Sequence, residues 1–95
     1  MYLIVYSKPG CHLCEGLIEK LAQVTNPTLE LEIRDITTKE EWFDRYQYEI
    51  PVMRVLVAGT EKTLPRFSPA ASVAQLEKFL EAKVTPYLSQ EPNFF

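Results

Sequence analysis

The chain predicts a single α/β domain with the element order β-α-β-α-β-β-α. Short β-branched and aromatic runs alternate with stripes of helical period, Cys11-His-Leu-Cys14 falls where the first run meets the first stripe, and Pro51 opens a strand pair joined by a tight turn. With 95 residues, 46% hydrophobic and 24% charged, the chain fits one core and leaves no room for a second domain. A net charge of −3 with ten scattered Lys and Arg gives no basic stripe, which sets nucleic acid aside as a partner. The apolar run at residues 2–6 is too short for a signal core or a membrane span, so a soluble cytoplasmic protein with no membrane partner is expected.

Residues 2–7 are apolar without polar alternation, as in a central strand covered on both faces. From His12 to Val24, Leu13, Leu17, Leu21 and Val24 recur at helical spacing and Ile18 widens the stripe, giving a helix of about three turns. Pro27 then drives Asn26 out of the helical region and ends it. Leu29, Leu31 and Ile33 alternate with Glu30, Glu32 and Arg34, the pattern of a strand with one buried face. Thr37 and Thr38 each stand three residues before a glutamate, a capping-box signal for a short helix. The Trp42, Phe43 and Tyr46 of that helix read as core packing in preference to a substrate platform.

Val52–Val57 form the third strand, and Ala58-Gly-Thr-Glu61 turns it into Lys62–Arg66, where Pro65 marks a short or edge strand. Ser68 or Ser72 caps the last helix, whose stripe is Val73, Leu76, Leu80 and Val84. The domain therefore spans 1–84, and 85–95, which lacks periodicity, is a C-terminal tail.

Cys11 and Cys14 would close too small a loop to constrain the unfolded chain, so in a reducing compartment they point to redox or metal chemistry. The turn Ser7-Lys-Pro-Gly10 sets Cys11 at a helix start, where a thiolate is stabilised. Inert packing thiols and a zinc half-site needing further ligands are the rival readings. Lys8 is either a source of positive potential or a solvated lysine, and His12 reads as an exposed helix-start residue. Arg54 either pairs with a nearby acid or faces substrate near Pro51.

With Ser7-Lys-Pro-Gly-Cys-His-Leu-Cys14, and with Pro51 37 residues after Cys14, the chain resembles the glutaredoxin branch of the thioredoxin superfamily over residues 1–84. Tyr48-Glu-Ile-Pro-Val-Met-Arg-Val55 is more narrowly similar to the small glutaredoxin-like domain family. The resemblance implies a thioredoxin-like, glutaredoxin-type βαβαββα fold, with a four-stranded mixed sheet flanked by helices. It also implies a thiol-disulfide oxidoreductase in which Cys11 attacks and Cys14 resolves, with Lys8, Ile50, Pro51 and Val52 as the substrate-binding set and a cis peptide at Pro51. Disulfide-containing or glutathionylated proteins would be the substrates, glutathione or a thioredoxin reductase the donor. No cofactor would be bound, glutathione would act as a co-substrate, and the chain would be a monomer. Two other readings stay open: a module sharing an iron-sulfur or zinc site across a dimer, and a redox-inactive adaptor.

The chain departs from the glutaredoxin pattern in two places. His12 and Leu13 fill the middle of the motif, and Arg66-Phe-Ser-Pro-Ala70 stands where typical members carry Gly-Gly and an acidic pair that hold glutathione. Ser68, or amides at the last helix start, would have to take a carboxylate instead.

Overall fold

The computed structural model describes residues 1–88. Strand β1 (Tyr2–Ser7) lies inside a four-stranded sheet of order β2-β1-β3-β4, parallel to β2 (Glu30–Asp35) and antiparallel to β3 (Val52–Val57). Strand β4 (Thr60–Thr63) pairs antiparallel with β3. Helices α1 (His12–Ala22), α2 (Glu40–Tyr46) and α3 (Val73–Leu88) complete the expected order, with a 3-10 turn at Ile36–Thr38 before α2.

The unbroken apolar run of β1 follows from its two burdens. Leu3 and Val5 pack with Leu21, Met53, Val55, Leu76, Leu80 and Val84 in the main core, while Ile4 and Tyr6 pack on the other face with Ile36 and Tyr46. Each fully buried leucine of that core contributes roughly 1.5–3 kcal/mol relative to exposure.

Several local details differ from the sequence pattern. Leu29, just before β2, and Leu31 on it pack against the core, but Ile33 is 46% exposed towards the far end of this edge strand, which has only β1 beside it. The threonines before α2 do not form a capping box. The Asp35 carboxylate accepts from the Thr37 amide (2.9 Å) and hydroxyl (2.6 Å), and its carbonyl accepts from the Thr38 hydroxyl (2.7 Å), so both hydroxyls are used one turn early. Those Thr37 bonds, the hydroxyl first, hold the Asp35 carboxyl below its ordinary pKa. Lys39 becomes the N-cap of α2 without a side-chain bond, and Glu40 and Glu41 face the positive helix end.

The β3–β4 turn is tighter than the sequence pattern suggests. Ala58 (φ 50°) and Gly59 (φ 79°) are both left-handed, as a two-residue type I′ turn requires, so β4 starts at Thr60 instead of Lys62. At the start of α3 it is Ser72 that caps, in a reciprocal pair: the Gln75 amide donates to the Ser72 hydroxyl (3.1 Å) and the Ser72 amide to the Gln75 side-chain oxygen (2.8 Å). Helix α3 continues past residue 84 through Pro86 to Leu88, with Tyr87 extending the core stripe one step beyond Val84. The rest of the expected tail, residues 89–95, lies outside the described residues. Among the described residues no helix is long and apolar enough to cross a membrane.

Glu77 of α3 ties the α1–β2 loop to the helix layer by accepting from the Thr25 (3.0 Å) and Asn26 (3.1 Å) amides, which hold its carboxyl below the ordinary value. A depressed carboxyl contributes stability above its unfolded pKa, about 4.3, and loses it as pH falls through the lower folded value. Glu77→Gln should therefore lower the thermal midpoint at neutral pH, with the gap to wild type closing in acid, as midpoints measured across pH would show. Ala58→Gly should raise stability by about 0.5–1 kcal/mol in denaturant unfolding, because glycine removes the left-handed penalty at this turn.

Candidate redox site

Strand β1 ends at the buried Ser7, and the chain turns through Lys8-Pro-Gly10 into α1. Gly10 takes a φ of 81°, cheap only for glycine, and the Cys11 amide donates to the Lys8 carbonyl at 3.3 Å, closing the turn. Cys11 is thereby the N-cap of α1, with extended backbone. Its Sγ accepts from the Cys14 amide at 3.3 Å, a position at which a helix start stabilises negative charge on sulfur.

Cys14 sits one turn along α1, and the two cysteines form a disulfide with Cα atoms 5.2 Å apart. Their exposures differ. Cys14 is fully buried, whereas Cys11 is half-buried and open to a partner sulfur. Between them His12 has a side chain 95% exposed, 3.7 Å from the Glu15 carboxylate, and Leu13 is half exposed.

Register brings the second half of the site to the first. Tyr6 pairs with Val52, so the start of β3 lies beside the end of β1, next to the cysteine turn. The Ile50–Pro51 peptide is cis, as is Asn26–Pro27, which the sequence pattern did not single out. Pro51 and Val52 line a cleft of about 620 Å³ whose lining also includes His12 and Leu13 from the start of α1. Ile50 lies behind it, packed against the Tyr6–Tyr46 cluster with its amide bonded to the Tyr46 carbonyl at 3.0 Å. Lys8 contributes its carbonyl to the turn and does not line the cleft.

Arg54 faces away from this chemistry: it bonds Glu61 (3.0 Å), Thr63 (2.8 Å) and the Tyr46 hydroxyl (3.3 Å). Tyr46 itself is buried against Tyr6, in agreement with a packing role. Ser68 accepts from the Ala70 amide at 3.3 Å, and Ser72 caps α3. The cleft also gathers Lys20, Arg45, Tyr48 and Arg66, none of which the sequence pattern marks as a binding residue. Lys20 was within reach, since it follows Leu13 and Gly16 at helical spacing; the other three come from α2 and the loops, where no period marks a face. Among the described residues no three His, Cys, Asp or Glu side chains gather to hold a metal, so a metal reading would need ligands from a second chain.

The glutaredoxin-like domain (DUF836) family model matches residues 2–81. Among solved structures, target protein XcR50 from X. campestris is 26% identical with a TM-score of 0.58, over 84% of this chain and 96% of its own. Thioredoxin 1 from the thermophilic eubacterium Thermosipho africanus TCF52B is similar in fold, with a TM-score of 0.62 at 16% identity over 96% of this chain and 100% of its own. Comparison with curated proteins gives no match.

Proposed function

The chain belongs to the glutaredoxin-like (DUF836) family, and from that footing we propose that it is a thiol-disulfide oxidoreductase working through the Cys11/Cys14 dithiol. One observation carries the reading: a partly exposed cysteine at a helix N-cap, bonded to a buried cysteine one turn away, with the next residues of that helix, His12 and Leu13, lining a cleft shared with Pro51. In the reduced protein the Cys11 thiolate, facing the Cys14 amide, attacks one sulfur of a substrate disulfide. A Cys11–substrate bond forms as the substrate S–S bond breaks, and the departing thiolate takes a proton from solvent.

Cys14, deprotonated, then attacks the Cys11 sulfur; the internal disulfide forms and the second substrate thiol leaves. Two electrons have passed to the substrate, and the disulfide form of the protein is the product state. A dithiol or a pair of monothiols must return it to the start, and glutathione or a thioredoxin reductase is the donor in this reading. Disulfide-containing or glutathionylated proteins are the substrates, and the cytoplasm the setting in which the dithiol persists.

Pro51 and Val52 hold the substrate backbone in the cleft they share with Leu13, and Lys8 adds positive potential at the cysteine turn. The Ile50 amide is already committed to Tyr46, so pairing with an extended substrate falls to the Ile50 carbonyl.

The test is turnover of a small dialkyl disulfide and a glutathionylated peptide, with either glutathione recycled by glutathione reductase or thioredoxin reductase as donor, followed through NADPH consumption above the rate without the protein. Wild type should turn over with one of the donors, Cys11→Ser should abolish the activity, and Cys14→Ser should keep only the route that an external monothiol resolves. No turnover by wild type with either donor overturns the reading.

A further inference from the structure

We propose that the cleft beside Cys11 docks an extended protein segment carrying acidic side chains around an apolar one, and that Lys20, Arg45 and Arg66 select it. This rests on the oxidoreductase reading for why a disulfide-bearing segment would come here. The charge of the cleft is opposite to that of the chain. Its lining holds three cationic side chains, Lys20, Arg45 and Arg66, against the single acid Glu49, although the chain carries a net charge of −3.

These cations are held without acidic partners. Lys20 donates to the Pro69 (2.6 Å) and Ala71 (2.5 Å) carbonyls, Arg66 to the Glu49 carbonyl (2.6 Å), and Arg45 lies 5.2 Å from the Tyr46 ring centroid. Among the described residues none of the three forms an ion pair, whereas Arg34 and Arg54 on the sheet face are both matched with Glu61. Lys20 and Arg66 are thus fixed in place by neutral carbonyls, with N–H groups to spare for an anion.

The lining favours a protein segment over glutathione. The cations come from three separate pieces of chain, α1, α2 and the segment after β4, and share the cleft with the apolar Leu13, Val52, Met53 and Phe67. Leu13 is 50% exposed and Tyr48 91% exposed at the rim, so apolar side chains wait for cover. At the start of α3, Ser72 and Gln75 take up each other's amides, and neither residue lines the cleft. A ligand matching this surface is extended, with apolar side chains and negative charge at more than one point.

The proposal is tested on the full-length protein in its disulfide form. Backbone-amide NMR titrations use peptides of about nine residues with Ser in place of the reactive Cys, apolar neighbours, and either two Glu or two Lys flanking them. Exposed contacts of this kind are worth roughly 1.4- to 5-fold each. The acidic peptide should therefore bind roughly tenfold more tightly than the basic one at about 20 mM salt, with shifts at Leu13, Gly16 and Val52, and the gap should narrow at about 200 mM. Arg45→Glu with Arg66→Glu should remove or invert the preference while the thermal midpoint holds.

Equal binding of the two peptides by wild type, or an acidic preference that survives in the double variant, overturns the proposal. So does S-methylglutathione displacing the acidic peptide at equal concentration, which would assign the cations to the tripeptide. No thiol exchange occurs in this experiment, so a protein that prefers the acidic peptide but lacks turnover sinks the oxidoreductase reading alone.

Discussion

Burial of β1 on both faces is the constraint from which the rest of the molecule follows. A strand with Leu3 and Val5 in one core and Ile4 and Tyr6 in another must be interior to the sheet, which leaves β2 and β4 at the edges and requires helices on both sides. Its exit is fixed by the same burial: once Tyr6 is packed and Ser7 buried, the chain turns immediately, and Gly10 supplies the left-handed residue that delivers Cys11 to the start of α1. The Tyr6–Val52 pairing then sets Pro51 close to that turn. The two halves of the candidate site, far apart in sequence, thus meet because one strand cannot slip without moving its apolar side chains to the wrong face.

The two faces of the sheet are built from different chemistry. The α1/α3 side is a hydrocarbon core, whereas the α2 side carries a polar lattice in which Arg34 bonds Glu32, Glu61 and Tyr6, and Arg54 bonds Glu61 and Tyr46. Burial works against the Arg34 charge, but its hydrogen bonds to Glu32 and Tyr6 outweigh that cost and raise its pKa above the ordinary value. Stacking of Tyr6 on Tyr46 and the edge of Trp42 against Tyr6 close the lattice. Arg34 and Arg54 are consumed in holding four strands together, so neither is available to a ligand.

What the sequence made legible follows from how local each signal was. Strand β1, helix α1 and the stripe Leu76-Leu80-Val84 were readable because period and burial coincide within one segment. The Cys11/Cys14 pair was readable because its turn, its cap and its helix are contiguous. The start of α2 was misleading because Asp35 competes for the same threonine hydroxyls, and the spacing alone does not reveal which acceptor wins. Ile33 keeps the alternation of a buried face, yet it is exposed towards the far end of an edge strand, and which strand is the edge is a property of the whole sheet. The backbone part of Lys8, whose carbonyl closes the cysteine turn, is not marked by its side-chain type and emerges only in the fold.

The unequal burial of the cysteines separates reactivity from recognition. Cys14 is locked into the core side of α1, so its sulfur can be reached only by Cys11, one turn away; a partner disulfide can approach Cys11 alone. In the proposed reaction, that asymmetry makes Cys11 the thiol that a partner disulfide meets first, without any contribution from the cleft. The cleft wall is assembled largely from the end of α2, the approach to Pro51 and the segment after β4, pieces outside β1 and the α1 cap. In the proposed reading, thiol exchange is carried on the rigid elements and docking largely on the connections between them, so that a change of docking surface need not disturb the cysteine pair, and the positive charge of this cleft in an acidic chain is what such a surface would use to choose a partner.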